Sequence, residues 1–216
     1  TRALSSAASD VYKRQGYTME EKKDIVKEFT EIYTNKIKRE GADKLLDWLL
    51  KSDFITCPAS TKFHSNYEGG LIEHSIKAYK RFVKNLEKEY GQNWNNTISE
   101  ESAAIIGLLH DICKVGYYKQ EMRNVKEDGV WVQKPYYTVD DKLPYGHGEK
   151  SVYIISGFMK LTREEAMAIN WHMGGFDTRV QGGSYSISTA FYEFPTALIF
   201  HLSDLEATYL DERINN

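Results

Sequence analysis

Most of the chain follows a helical pattern, in which apolar residues recur three or four positions apart. This spacing places apolar side chains on one face of a helix, where neighbouring helices can bury them. Ser99 and Thr162 have the sequence context of helix N-caps, since acidic residues follow each of them in the first turn. The pattern predicts one helix carrying Ile25, Phe29, Ile32 and Tyr33, and others over 45–50, 71–90, 102–114, 148–159, 162–172 and 196–213.

The helix predicted over 102–114 differs from the others because apolar residues occupy nearly every face. Each residue from 103 to 109 is alanine, isoleucine, leucine or glycine. A helix without a polar face is typically buried on all sides. We therefore expect this helix at the centre of the core.

One stretch has the pattern of β-strands. Residues 117–125 and 130–139 flank Asp128-Gly129, a pair that favours the tight turn of a hairpin. Glycine and serine between 181 and 188 predict a loop before the last helix. The sequence therefore predicts an all-α, mainly helical bundle with a small β-hairpin insertion around 117–139.

Residues 1–18 have a different composition from the rest of the chain. They are rich in serine and alanine and precede Met19, the first methionine. We interpret them as a non-native or disordered leader, with a natural N-terminal arm as the alternative. No repeat or linker divides the remainder, so residues 19–216 are predicted to form a single helical domain.

Composition narrows the class of protein. The 216 residues carry a formal net charge of −3, which excludes a strongly basic nucleic-acid coat protein. No apolar run approaches the ~20 residues of a membrane-spanning helix, so no membrane partner is expected. Two cysteines are too few for a disulfide scaffold and favour a reducing, cytoplasmic setting.

The six histidines are the polar residues that carry the most chemistry. Most of them fall at the end of a predicted element or beside a glycine, where a side chain can reach a shared cleft. Imidazoles and carboxylates are ligands for divalent ions, and helical bundles assemble such sites from several helices. Spacing alone leaves open a metal site and a set of ordinary buried histidines.

Three segments, in order, resemble the H…HD…D signature of the HD-domain metal-dependent phosphohydrolases. They are residues 63–74 (FHSNYEGGLIEH), 108–114 (LLHDICK) and 201–207 (HLSDLEA). Their context is similar to that of HD exoribonucleases of the YhaM type and of related phage or plasmid proteins. Cys113 stands where that family commonly has glycine. The resemblance extends over residues 63–210.

The resemblance implies a site for one or two divalent ions, of manganese, iron, magnesium, cobalt or nickel. Asp111 would bridge the two ions and act with Lys114 as a catalytic residue, Lys114 also binding the phosphate of the substrate. Two such ions can activate water and stabilise the attacking and leaving oxygens of phosphoryl transfer. The implied metal ligands are His74, His110, Asp111 and Asp204, with His147 and His172 for the second ion.

Further residues are weaker candidates for substrate binding. His64 resembles a family histidine near the substrate, His201 lies one helical turn before Asp204, and Arg179 follows His172 in a loop. A role in local structure is the alternative for each. The insertion at 117–145 would either cover the cleft or displace His147 from the metal.

Two surface features bear on the choice of substrate. A basic stripe follows His74 and would attract a polyanion, although such stripes are often only the solvated face of a helix. Aromatic residues of the hairpin would stack on a base or pack on one another. The stripe consists of Lys77, Lys80, Arg81, Lys84 and Lys88, and the aromatic residues are Tyr117, Tyr118, Trp131, Tyr136 and Tyr137.

The predicted function is metal-dependent hydrolysis of a phosphomonoester or phosphodiester bond of a nucleotide. The expected partner is a small phosphorylated substrate, with nucleic acid as a second candidate. Two alternatives stand beside it. One is a non-catalytic sensor that binds metal and nucleotide, and the other is a 3′–5′ exonuclease acting on single-stranded RNA or DNA.

Overall fold

The computed structural model describes residues 18–61 and 65–212, in which helices pack around a hydrophobic core. Residues 1–17 of the predicted leader and His64 lie outside the described residues. The predicted mainly helical fold with a small hairpin is confirmed. The elements are α1 (Met19–Lys36), α2 (Ala42–Lys51), α3 (Gly70–Tyr90), α4 (Glu100–Leu109), β1 (Tyr118–Glu127), β2 (Val130–Val139), α5 (His147–Ser156), α6 (Arg163–Asn170), α7 (Thr178–Gln181), α8 (Ser186–Glu193) and α9 (Pro195–Glu206).

Helix α4 lies at the centre of the core, as its sequence predicts. It begins at Ser99, whose side chain accepts a hydrogen bond from the main-chain N–H of Ser102. All residues from 103 to 109 are buried, and the helix contacts α1, α3 and α6. The burial of every face explains why this helix has no polar stripe.

A glycine allows α3 to approach α4 closely. A Cβ atom at Gly107 would lie 2.7 Å from the Cα of Tyr79, which is too short for any side chain. Gly148 has a similar role, because a Cβ there would lie 2.2 Å from the carbonyl oxygen of Asn170 at the end of α6. The absence of a side chain at these two glycines therefore allows α3 to lie close to α4, and α5 to lie close to α6.

The central helix is shorter than its sequence pattern predicts. Its α-helical part ends at Leu109, and a 3₁₀ turn over Ile112–Lys114 follows. Asp111, with φ −107° and ψ 13°, lies at the break between the two. In a regular α-helix, neighbouring side chains point about 100° apart. The break removes that restriction for the residues that follow Leu109.

The loop predicted over 181–188 is also wrong in part, because Ser186 begins α8. Glycine and serine favour a loop, but tertiary packing overrides this local preference. Phe191 of α8 packs against the core, and its ring stacks on that of His201 at a centroid distance of 5.8 Å.

The hairpin is formed as predicted. β1 and β2 pair antiparallel, with Val125 opposite Val132 in the register. Asp128 and Gly129 have φ values of 47° and 85°, and positive φ at both positions is what a tight hairpin turn requires. In the part of the chain that the structure describes, no helix is both long enough and apolar enough to cross a membrane.

An ion pair with a buried carboxylate connects the end of α1 with α6. Arg39 follows α1, and its Nη1 and Nη2 atoms lie 2.6 and 2.8 Å from the two carboxylate oxygens of Glu165 in α6. Ser102 of α4 donates a third hydrogen bond to the same carboxylate at 2.7 Å. Burial raises the pKa of Glu165, but these donors outweigh it and lower the pKa below its usual 4.5.

Replacing Arg39 tests this ion pair. Arg39→Met leaves a fully buried carboxylate without its cation, so we expect the free energy of unfolding to fall by about 3–5 kcal/mol. Urea denaturation at neutral pH measures this loss. The stabilisation is present above pH 4.5 and disappears as the pH falls through the pKa of folded Glu165, so the difference between the two chains should shrink in acid.

The matched control is Lys51→Met, which removes an exposed lysine that pairs with Asp47 within α2. Its urea midpoint should equal that of the unaltered chain, because exposed pairs contribute little. Equal losses for the two variants would contradict the assignment of Arg39 to a buried pair.

Candidate metal centre

Five segments of the fold deliver imidazoles and carboxylates to one buried region. The residues come from the second turn of α3, the end of α4, the start of α5, the turn after α6 and the last helix α9. Four of them are almost fully buried, while the side chains of His147 and Asp204 are 28% and 13% exposed. The residues are His74, His110, Asp111, His147, His172 and Asp204.

The first part of the centre lies between α3, α4 and α9. His74 Nε2 is 3.2 Å from His110 Nε2 and 3.1 Å from Asp204 Oδ1. Asp111 Oδ2 lies 3.6 Å from both of these ring nitrogens. Ligands that share one ion at bond lengths of ~2.0–2.2 Å are separated by about 3 to 3.5 Å. The spacing therefore fits a single divalent ion.

The second part of the centre uses the other oxygen of the same carboxylate. Asp111 Oδ1 lies 2.7 Å from His147 Nε2 and 3.4 Å from His172 Nε2. The two oxygens of Asp111 thus face different sets of histidines, which is the arrangement of a bridging carboxylate. The insertion after α4 does not displace His147 from this group.

Among the described residues, three buried side-chain polar atoms lack a hydrogen bond, and two of them belong to this centre. These two are His172 Nε2 and Asp204 Oδ1, and the third is Thr138 Oγ1. An unsatisfied buried polar atom costs about 1–3 kcal/mol, so such atoms are rare in folded proteins. Both atoms face the other ligands, and a cation would satisfy them. The residues present therefore fit a divalent metal ion.

Main-chain carbonyls fix the ring orientation of two histidines. His110 Nδ1 lies 3.0 Å from the carbonyl oxygen of Gly107, and His172 Nδ1 lies 2.7 Å from that of Ile169. A carbonyl only accepts, so each ring carries its proton on Nδ1 when neutral. The lone pair of each Nε2 then faces the centre, as metal coordination requires.

Burial and charge act differently on the histidines. Burial dominates at His110 and lowers its pKa to about 3, which keeps the ring neutral. Burial also lowers the pKa of His74, but the Glu212 and Asp204 carboxylates outweigh it and raise the pKa to about 10. At His147, the contacts with Cys113 and Asp111 likewise outweigh the effect of burial and raise the pKa to about 10.

The two carboxylates of the centre are held in their charged form. Burial raises the pKa of Asp111, but Lys114 and the surrounding histidines lower it well below its usual 3.8. At Asp204, burial raises the pKa, but the surrounding histidines, His74 and His110 among them, together lower it by more. The net shift of the Asp204 pKa is therefore also downward. The centre therefore presents two buried negative charges to a cation.

Glu212 supports His74 from outside the ligand set. Its Oε1 lies 2.7 Å from His74 Nδ1, and its Oε2 accepts a hydrogen bond of 2.6 Å from Ser65. A π-helical turn over Ala207–Asp211 follows α9 and brings Glu212 to this position, where Arg81 of α3 pairs with Asp211. A carboxylate on the far nitrogen of a ligand histidine orients the ring and increases its basicity.

A cavity of about 310 Å³ opens beside the second part of the centre. Lys114 and His147 border it, and Lys114 Nζ lies 2.5 Å from Asp111 Oδ2. Burial lowers the pKa of Lys114, but the Asp111 carboxylate and the other neighbouring groups together have a larger, opposite effect. The net shift of the pKa is upward, so the amine stays charged. Two larger hollows, of about 610 and 720 Å³, lie around Arg39 and are not lined by the site histidines.

A second lysine, which no sequence pattern singles out, lines the same cavity. Lys150 lies one turn after His147 and is 4% exposed, and its Nζ donates to Asp141 Oδ1 at 2.6 Å. The Nζ also lies 5.1 Å from the centre of the Tyr117 ring. In the sequence, Lys150 lies in Glu149-Lys150-Ser151, a polar run that is typical of an exposed helix face and does not indicate burial.

The donors of Arg179 are occupied within the protein, and its predicted role in substrate binding remains a prediction. All five of its N–H donors bind protein acceptors, on Asp177, Glu149 and Asn170. Its guanidinium also stacks 4.0 Å above the Trp171 ring. Binding of a phosphate would require these bonds to break, so the structure favours a role in fixing the turn that carries His172.

His201 contacts the main chain of the turn after α6. Its Nδ1 lies 2.6 Å from the main-chain oxygen of His172. The ring fills the space beside Gly174, where a Cβ would lie 2.1 Å from its Cε1. His201 therefore supports the turn after α6, and its predicted role in substrate binding remains a prediction.

Three of the five cations of the basic stripe on α3 are paired with carboxylates. Lys77 lies 2.6 Å from Glu73, and Lys80 lies 2.6 Å from Glu28. Arg81 is paired with Asp211. Paired cations present a weaker field to a polyanion than the sequence pattern indicates.

Comparison with known proteins gives one informative relative. No protein-family model matches the chain, and no solved structure shows significant similarity to it. The dihydroneopterin 2′,3′-cyclic phosphate phosphodiesterase of Methanocaldococcus jannaschii is 38% identical over 86 residues, which are 38% of this chain and 31% of the relative. The match thus spans less than a third of the relative, and a curated relative of the chain is a phosphodiesterase.

Glu212→Gln tests the support of His74. The amide has the size of the carboxylate but lacks its charge, so the ring loses basicity and orientation. We expect the affinity for Mn²⁺ to fall about 10- to 100-fold, the usual effect of removing such a contact, as measured by isothermal titration calorimetry. Glu206→Gln is the control, since Glu206 accepts from Asn85 and should leave the affinity unchanged. Equal affinities for the two variants would remove Glu212 from the site.

Proposed function

We propose that the chain is a metal-dependent phosphohydrolase of the HD type, which cleaves a phosphodiester bond of a small, nucleotide-like substrate. The observation that carries the proposal is the position of Asp111, whose two buried oxygens face separate sets of histidines. Similarity to a curated phosphodiesterase supports the same class of reaction.

The ligand roles follow from the contacts of each side chain. His74, His110, Asp111 and Asp204 would hold one ion. Asp111, His147 and His172 would hold the other. A divalent ion at such a site supplies Lewis-acid activation of water and neutralises charge on phosphoryl oxygens. His147, the most exposed of these ligands, marks the side from which a substrate enters.

Lys114 has the role of binding the phosphate. It borders the cavity and remains charged, and its contact with Asp111 holds the amine near the second part of the centre. A fixed cation at this position stabilises the negative charge that builds up on a non-bridging phosphate oxygen during the reaction. Asp111 thereby holds the lysine and would also hold the metal ions.

The cavity favours a small substrate with a planar ring. Its volume of about 310 Å³ is at the lower end of the range for small-molecule pockets. Tyr117, Tyr145 and Phe176 line it and offer aromatic surfaces on which a base or another heterocycle can stack. The partly neutralised stripe on α3 gives a nucleic-acid strand no continuous basic track to the centre.

Activity measurements on the purified chain test the proposal. With Mn²⁺, Fe²⁺, Mg²⁺, Co²⁺ or Ni²⁺ added, at least one metal should support hydrolysis of bis(p-nitrophenyl) phosphate and of 2′,3′-cyclic nucleotides. Asp111→Asn removes the bridging charge, so it should abolish turnover and reduce the metal content measured by elemental analysis. Full activity in that variant would overturn the assignment of Asp111.

Lys114→Met separates substrate binding from metal binding. Loss of the cation should lower kcat/KM about 100-fold, while the metal content stays as in the unaltered chain. Lys142→Met is the control, because Lys142 is an exposed lysine that pairs with Asp140. Unchanged kcat/KM in the Lys114 variant would contradict its role at the phosphate.

Other results would point to the alternative functions. Metal binding and tight nucleotide binding without any product would favour the sensor. Stepwise shortening of a single-stranded oligonucleotide, with no hydrolysis of small diesters, would favour the exonuclease. A chain that binds none of the five metals would exclude the proposed function.

A further inference from the structure

Cys113 lies against the second part of the metal centre. The residue is 2% exposed, and its Sγ atom lies 3.5 Å from both ring nitrogens of His147. His147 Nε2 is in turn 2.7 Å from Asp111 Oδ1. One ligand atom from each of these three residues lies within 4.8 Å of the others.

The distances agree with a shared ion. Zinc-like ions bind sulfur at ~2.3 Å and imidazole nitrogen at ~2.0 Å, so the two ligand atoms of a tetrahedral site are separated by about 3.5 Å. The separation between Cys113 Sγ and His147 Nε2 has this value, at 3.5 Å. Because Sγ is equally far from Nδ1, a rotation of the His147 ring would be needed to point the Nε2 lone pair at an ion shared with the sulfur.

The main chain holds Cys113 in this position. The 3₁₀ turn over Ile112–Lys114 follows directly after Asp111 and places Cys113 opposite the start of α5. The N–H of Cys113 donates to Ser151 Oγ of α5 at 3.1 Å. Asp111, Cys113 and His147 are therefore fixed relative to one another by two connected elements.

We propose that the Cys113 thiolate is a metal ligand, which completes a nitrogen, oxygen and sulfur site with His147 and Asp111. The inference rests on the proposed metal centre and makes its two positions unequal. The position near His74, His110 and Asp204 offers imidazoles and carboxylates alone, among the described residues. A thiolate selects Zn²⁺, Co²⁺ or Fe²⁺ over Mg²⁺, so the Cys113 position should reject Mg²⁺.

Cobalt spectroscopy tests the proposal without relying on activity. The full chain is stripped of metal under reducing conditions and titrated with Co²⁺, and a thiolate-to-cobalt charge-transfer band is sought in the near ultraviolet. Cys57→Ser is the matched control, because Cys57 is also buried and is the other of the two cysteines in the chain. A band in this variant must come from Cys113.

Two variants at Cys113 should give the opposite result to Cys57→Ser. Cys113→Ser and Cys113→Ala should lose the band and bind the second equivalent of Co²⁺ about 10- to 100-fold more weakly, with the first equivalent unchanged. Circular dichroism and the urea midpoint establish that each variant is folded. If neither variant folds, the spectrum of the Cys57→Ser chain decides the question by itself.

The outcomes separate this inference from the proposed function. Two equivalents of bound Co²⁺ without a thiolate band in the Cys57→Ser chain would overturn the role of Cys113 and leave the proposed function standing. A band that persists in Cys113→Ser would also overturn it. Failure of every variant to bind Co²⁺ would overturn the metal centre and this inference together.

Discussion

A buried negative charge, the carboxylate of Asp111, is the constraint on which the rest of the site depends. Taking a charge out of water costs several kcal/mol unless cations or donors surround it. Lys114 and His147 lie within hydrogen-bonding distance of its two oxygens, and His172 lies 3.4 Å away. The lysine and the histidines therefore compensate this charge, and a cation held by them together with Asp204 would neutralise it further.

The fold meets this constraint through departures from regular helix geometry. The end of α4 at Leu109 frees Asp111 from the helical repeat, and the close approach at Gly107 brings α3 near enough for His74 to reach the same centre. The π-helical turn after α9 then delivers Glu212 to the far side of His74. Irregular turns of this kind are frequent at functional sites because they re-aim side chains that a regular helix would separate.

The two sides of the centre differ in access. His74 and His110 are closed off by the core, with Phe200 against the ring of His110. His147 lies beside the cavity, which Lys114 and Lys150 also line. Under the proposed function, a substrate would react on the accessible side only, while the closed side would hold the metal ligands in place. The thiol of Cys113 lies on the accessible side, which links the choice of metal to the part of the centre that meets substrate.

The sequence by itself determined the local structure and the candidate ligands. Helical periodicity, the caps at Ser99 and Thr162 and the Asp128-Gly129 turn act over a few residues, so the helices and the hairpin could be read from them. The ordered histidines and aspartates likewise pointed to a metal centre. Only the tertiary structure decided the break after Leu109, helix α8 and the support of His74 by Glu212. These features depend on groups that are far apart in the chain, and no local pattern encodes the packing that brings them together.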